Sequence, residues 1–341
     1  MTKKRLNIII LFIALGLVLY FTLKDDLNGI LLQISKTNIY LFLLSMIILV
    51  SALAIKTLGL HVFLKEYDDK YRWNNTFKLT LIAQFLNGIT PFQTGGQPFE
   101  VYLLKKQGIR ISDSTSALIK DFISYQIALI ITGFIALIIN GVLNIIKLQS
   151  GINWFIFIGF LVNLVVLAVL LMIISPSKKS RTVIKKIIEF LFKFKLTKKI
   201  GNKEQIDDGL DRFYQSGMQL RKEKKHFFIS IVSNFVTLIM LYIIPYIIFK
   251  SLGLKSVNIL GSISITAFVM LIGNFVPIPG ATGGLEYSFV HFFSAFSIEA
   301  ATLSGAMLLW RFVTYFFGMI LGFICLIITR GVNKDENRTF Y

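Results

Sequence analysis

Cysteine, histidine, proline and acidic side chains are all scarce in this chain of 341 residues. It has one cysteine (Cys325), three histidines and six prolines, and 18 Asp and Glu stand against 36 Lys and Arg. A single cysteine excludes an internal disulfide and any cysteine-based metal site. His61, His226 and His291 lie far apart without metal-ligand spacing, so they are read as packed or interfacial side chains and no metal is expected. No phosphate-cradling loop of the P-loop type is present, so no ATP drive is encoded; no cofactor is expected either. No basic residue occurs between Ser256 and Trp310.

Apolar sequence is what abounds. Hydrophobic residues make up 55% of the chain. Six runs are long enough to cross a bilayer core of about 30 Å at about 1.5 Å per residue. They are Asn7 to Leu23, Ile39 to Leu64, Thr115 to Ile139, Ile152 to Ile174, His226 to Phe249 and Ala301 to Ile328. The first run follows Lys3, Lys4 and Arg5, as a signal peptide would, but it is long and no small-residue cleavage site follows it, so it is read as a retained span.

Within this apolar background the pattern PxxTGG occurs twice, at Pro91–Gly96 and at Pro279–Gly284. Downstream, Leu118, Phe122, Ile123, Ser124 and Tyr125 correspond to Leu308, Phe312, Val313, Thr314 and Tyr315. Helix-breaking Pro and Gly at matching places in two hydrophobic halves mark a transporter whose central helices are broken. The apolar stretches Phe77 to Thr90 and Val257 to Val276 each lead into a PxxTGG copy and then a short amphipathic piece, the pattern of a re-entrant hairpin. The expected fold is therefore an all-α polytopic membrane protein, six to eight transmembrane helices with two re-entrant hairpins in an inverted repeat. It forms one transmembrane domain over 1–341, with repeat A at about 7–139 and repeat B at about 152–328. Reading the second hairpin as two full spans gives eight crossings with the same termini.

The charges set the expected orientation. With the N-terminus inside, 28 of the 36 Lys and Arg fall in cytoplasmic segments, five fall outside and three (Lys56, Lys120 and Arg311) fall within spans. The positive-inside rule then places both termini in the cytoplasm of a plasma-membrane protein. The first hairpin, flanked by basic residues, enters from the cytoplasm, and the second from outside. The loop 175–225 carries 15 basic and six acidic residues. It reads either as a basic amphipathic helix on an anionic leaflet or as the positive-inside signal alone. No nucleic-acid motif accompanies it, and no nucleic-acid partner is expected.

Candidate binding residues gather at the glycine turns and the intramembrane charges. Gly95-Gly96 and Gly283-Gly284 permit backbone angles closed to other residues, so a helix can stop and reverse there. The amides freed at the next half-helix would seat a lipid phosphate, with Thr94 and Thr282 capping those helices or donating to the same group. Intramembrane charges cost about 2.5–3.5 kcal/mol each and need a partner or a task. Asp121 and Arg311 occupy equivalent positions of the two repeats, which suggests an ion pair near the centre and leaves Lys120 to meet an anionic headgroup; in the alternative, Lys120 snorkels at the interface. Glu100 and Glu286 follow the two Gly pairs and either bind a cationic headgroup or hold the hairpins. Lys56 faces the cavity or snorkels.

Thr90 through Gly96 with Glu100, the Lys120-Asp121 pair, the run Pro277 to Glu286, and Trp310-Arg311-Phe312 with Tyr315 together resemble the flippase-like transmembrane domain of the lysylphosphatidylglycerol synthases, the multiple peptide resistance factors. The resemblance covers nearly the whole chain. It implies that phospholipid, such as an aminoacylated phosphatidylglycerol, is moved between leaflets. Where that family's first motif has Gly-Glu, this sequence has Gly96-Gln97, with the acid displaced to Glu100. Bifunctional members append a cytoplasmic aminoacyltransferase domain, whereas here only Thr329 to Tyr341 follows the last run, so the expected role is transport and not catalysis. The alternatives are a membrane subunit of a lipid-modifying system and a small-solute permease.

Overall fold

The computed structural model describes residues 32, 34–90, 96–145, 152–174, 182, 224–273, 276 and 278–336. The expected first span, Thr94, Gly95 and nearly all of the basic loop 175–225 lie outside them. Every regular element among the described residues is helical. In chain order these are α1 (Ile39–Leu64), α2 (Trp73–Gly88), α3 (Gly96–Lys106), α4 (Ile111–Leu143), α5 (Ile152–Ile174), α6 (Lys224–Ser251), α7 (Ile259–Gly273), α8 (Gly284–Phe293), α9 (Ala300–Arg311) and α10 (Gly318–Glu336). A six-residue π turn, Phe312–Phe317, joins α9 to α10.

Among the described residues four stretches are long and apolar enough to cross a membrane: Ile39–Leu64, Ile111–Leu143, Lys224–Ser251 and Ala300–Thr329. Their ends carry polar stops. Asn38 caps α1 by accepting from the amides of Tyr40 and Leu41, and Asn144 closes α4 in the left-handed conformation. Because α4 runs to Leu143, Gly141, just past the end of the expected run, sits in its last turn. α5 forms over the expected residues and exposes Phe157, Leu161, Leu164 and Val169. Leu43, Ile47, Ile131, Ile138, Phe323 and Ile327 are likewise exposed on the long helices. Apolar surface on this scale belongs in lipid.

No helix of either hairpin is long enough to span a bilayer core by itself. α2 and α3 hold 16 and 11 residues, and α7 and α8 hold 15 and 10. At about 1.5 Å per residue each is well short of about 30 Å. In both hairpins the chain returns to the end it left. Just before α2, the Tyr71 hydroxyl donates to the Gln107 side chain just after α3. Burial, helped by the charge of Asp68, holds that phenol above its ordinary range and keeps it a donor. In the second hairpin Gly261 near the start of α7 lies against Phe296 just past α8.

The two halves run in opposite directions. α1 and α6 hold equivalent places, each just before its half's hairpin, and pack side by side: Asn38 lies near Ser251, Ala52 near Thr237, and Phe63 near Phe227. Numbers rise along one helix as they fall along the other, so the two are antiparallel. The last long helix of each half crosses over to the other half's hairpin: α10 packs on α2 and α4 packs on α7. Close approach needs small residues at both crossings. Gly322 lies against the Leu81 carbonyl, and Gly133 packs near Leu271.

Candidate functional site

A cavity of about 600 Å³ opens between the halves, lined by residues of α1–α9, the second broken turn and the π turn. The hairpin tips meet beside it. The Tyr315 hydroxyl, in the π turn, donates to the carbonyl of Gly88 at the end of α2 (2.9 Å), and its ring lies against Gly280 of the second turn. Gly280 and Ala281 both have positive φ (64° and 53°), so the chain reverses sharply there.

At the second tip, the Arg311 Nε stands 2.7 Å from Glu286 Oε1, with both side chains buried. Arg311 Nη2 donates to the Gly280 carbonyl (3.0 Å) and lies 3.5 Å from Thr282 Oγ1, and the guanidinium stacks 4.3 Å from the centre of the Tyr315 ring. The other Glu286 oxygen accepts from the Gly283 amide at 2.7 Å, capping α8. Thr282 turns its hydroxyl to the Pro279 carbonyl. At the first tip the Gly96 amide donates to Asn87 Oδ1 at 2.8 Å.

These contacts revise three expectations. Arg311 pairs with Glu286 and not with Asp121, because the hairpin tip brings a carboxylate to it before the other half does. Asp121 instead accepts from Ser230 (3.0 Å) and Asn234 (3.1 Å) on α6. Two of the glycine-turn amides expected to hold a phosphate are engaged by the protein's own side chains, Gly96 by Asn87 and Gly283 by Glu286. Lys120 neither reaches the cavity nor snorkels: it is 0% exposed and bonds Glu66 Oε2 and the Tyr67 hydroxyl, both at 3.4 Å. His226 binds the other oxygen of Glu66, so this cluster ties α4 and α6 to the segment after α1.

Of the candidates read from sequence, Glu100, Asp121 and Arg311 line the cavity, together with Lys56. Thr282, Gly283, Gly284 and Glu286 build the second tip behind Arg311, and Gly96 closes the first. Sequence reasoning missed Asn87, Asn234, Gln84, Gln97 and Gln126, which supply the neutral polar lining. Amides within apolar runs were the available signal, since a buried amide needs partners or a ligand.

Four charged side chains at membrane depth, around a cavity between two inverted halves, define a polytopic membrane protein built around an internal polar site. The chain belongs to the lysylphosphatidylglycerol synthase transmembrane-region family, whose profile matches residues 7–322. It is similar to the UPF0104 membrane protein MJ1595 of Methanocaldococcus jannaschii, 24% identical over 350 residues that cover 99% of this chain and 98% of that one. It is also similar to the uncharacterized protein MG306 homolog of Mycoplasma pneumoniae, 23% identical over 325 residues that cover 89% and 80% of the two chains. No solved structure matches it. Family membership gives the chain a role tied to membrane lipid.

Proposed function

We propose that this protein translocates a phospholipid between the leaflets of a plasma membrane, with both termini in the cytoplasm, and acts as a transporter without catalytic chemistry of its own. The observation that carries the reading is the polar cavity at the meeting point of two oppositely directed hairpins. Lipid tails stay in the bilayer while the headgroup needs a polar path, and charged side chains at membrane depth supply one. Each hairpin tip closes one approach to the cavity, so a rocking of one half against the other exposes it to either face in turn. The resemblance to the lysylphosphatidylglycerol synthases makes aminoacylated phosphatidylglycerol the first headgroup to try.

The test is reconstitution into liposomes carrying fluorescent phosphatidylglycerol, lysylphosphatidylglycerol or phosphatidylethanolamine, with outer-leaflet quenching followed in time. Protein-dependent exchange that varies with headgroup supports the reading. Protein that admits small polar solutes while leaving every lipid in its leaflet refutes it in favour of a permease.

A further inference from the structure

The two halves treat their hairpin carboxylates differently. In the second half Glu286 meets Arg311, and the two charges cancel. In the first half Glu100 of α3 lies within the field of Asp121, a second carboxylate, and of Lys56 on α1. Asp121 has donors from Ser230 and Asn234. Glu100 lines the cavity at 8% exposure and makes no hydrogen bond or ion pair among the described residues.

The surroundings of Glu100 can be followed element by element. α4 presents Asp121 and the Tyr125 phenol, and α1 presents Lys56. From α2 come only the neutral Thr80, Gln84 and Asn87, and from α6 the Tyr242 phenol. Across the cavity stand Tyr315 and Arg311, the latter held by Glu286. His61 on α1 is bonded to Thr76, and Lys120 on α4 to Glu66, both away from the lining. With Arg311 and Glu286 cancelling, one ammonium faces two carboxylates. The group carries one negative charge, and a single added positive charge makes it neutral.

We propose that Glu100 is a proton-exchange site: it holds a proton while the cavity lacks a cation and releases it when a cationic group enters. The proton is preferred to a metal ion because a metal requires several oxygen ligands fixed around it, whereas a proton needs only one carboxylate oxygen. Where the substrate headgroup carries an ammonium, its entry and the departure of the proton are one exchange of charge, and lipid movement is linked to proton movement. That linkage rests on the lipid-transport reading; the proton site does not.

Two measurements on the full chain separate these claims. Infrared difference spectra of the purified protein across pH steps, in sodium-free buffer, are expected to show a carboxyl band that titrates in the wild type and in Glu299→Gln but is lost in Glu100→Gln. Glu100→Asp should keep a titrating band at a shifted position, which excludes misfolding as the cause of the loss. In proteoliposomes, exchange linked to one proton changes by up to about tenfold per pH unit, and whatever exchange Glu100→Gln retains is expected to be flat with pH. A titrating band that persists unchanged in Glu100→Gln, or a wild-type response to sodium and none to pH, overturns the proposal. A Glu100-dependent band in a protein that moves no lipid upholds the proton site and removes the transport reading.

Discussion

Neutralising Arg311 and Glu286 together should cost clearly less than the sum of neutralising each alone. The two side chains are 7% and 8% exposed and 2.7 Å apart. Removing one charge leaves the other buried without its partner, a loss of about 3–5 kcal/mol. Against a total stability of about 5–15 kcal/mol, that is a large share. Glu286→Gln keeps an oxygen for the Gly283 amide and isolates the charge, whereas Arg311→Met keeps most of the side-chain length but also loses the donor to the Gly280 carbonyl. Glu286→Ala also removes the cap of α8 and should lose about 1 kcal/mol more. The double variant Arg311→Met with Glu286→Gln buries no net charge and should recover about 2 kcal/mol relative to the sum of the singles. Thermal melts of the solubilised protein, read as the surviving monodisperse peak after heating, give these differences. Losses that add within about 0.5 kcal/mol would refute a coupled pair. Asp121→Asn combined with Arg311→Met provides the contrast: Asp121 takes its hydrogen bonds from α6, so no recovery is expected there.

Gly322→Ala should destabilise by about 1–3 kcal/mol, because the new methyl runs into the Leu81 backbone carbonyl, whereas Gly318→Ala meets only the flexible Gln84 side chain and should cost less; the same melts check both. Tyr315→Phe removes the donor to the Gly88 carbonyl and should cost about 1–3 kcal/mol, with faster exchange at amides near the hairpin tips seen by hydrogen–deuterium exchange. In a Cys325→Ser background, Lys70→Cys should label from the cytoplasm and Asn144→Cys from outside, while Ala281→Cys, buried in the second turn, should label slowly. Labelling of residues 70 and 144 from the same face would overturn the proposed orientation.

Long helices were legible because a bilayer of fixed thickness imposes its length on apolar runs. Ile39 to Leu64 and Ile152 to Ile174 form helices with those ends. α4 extends four residues past the expected run at each end, since Ser112, Asp113 and Asn140 suit helix termini that lie beyond the apolar core. The second glycine turn was legible for a similar reason, as few residues other than Gly tolerate the positive φ seen at Gly280 and Gly283. The charge pairings were not legible. Repeat equivalence says that Asp121 and Arg311 occupy like positions, but like positions on antiparallel halves need not touch. Glu286 did carry a local signal, standing three residues past Gly283 where a carboxylate caps a helix. Glu66 and His226 gave none, because their meeting depends on how α1 and α6 pack.

The crossed packing of α10 on α2 and α4 on α7 bears on how such a chain can arise and be divided. A lone half would have an uncovered hairpin and a final helix with nothing to lie on. It becomes whole only beside a second half inserted the other way up. A gene for one half would therefore need a product that enters the membrane in both orientations, and fusing two copies would fix one orientation for each. Once fused, the halves are free to diverge in charge, and this chain has done so: one hairpin carries a neutralised pair and the other a surplus carboxylate.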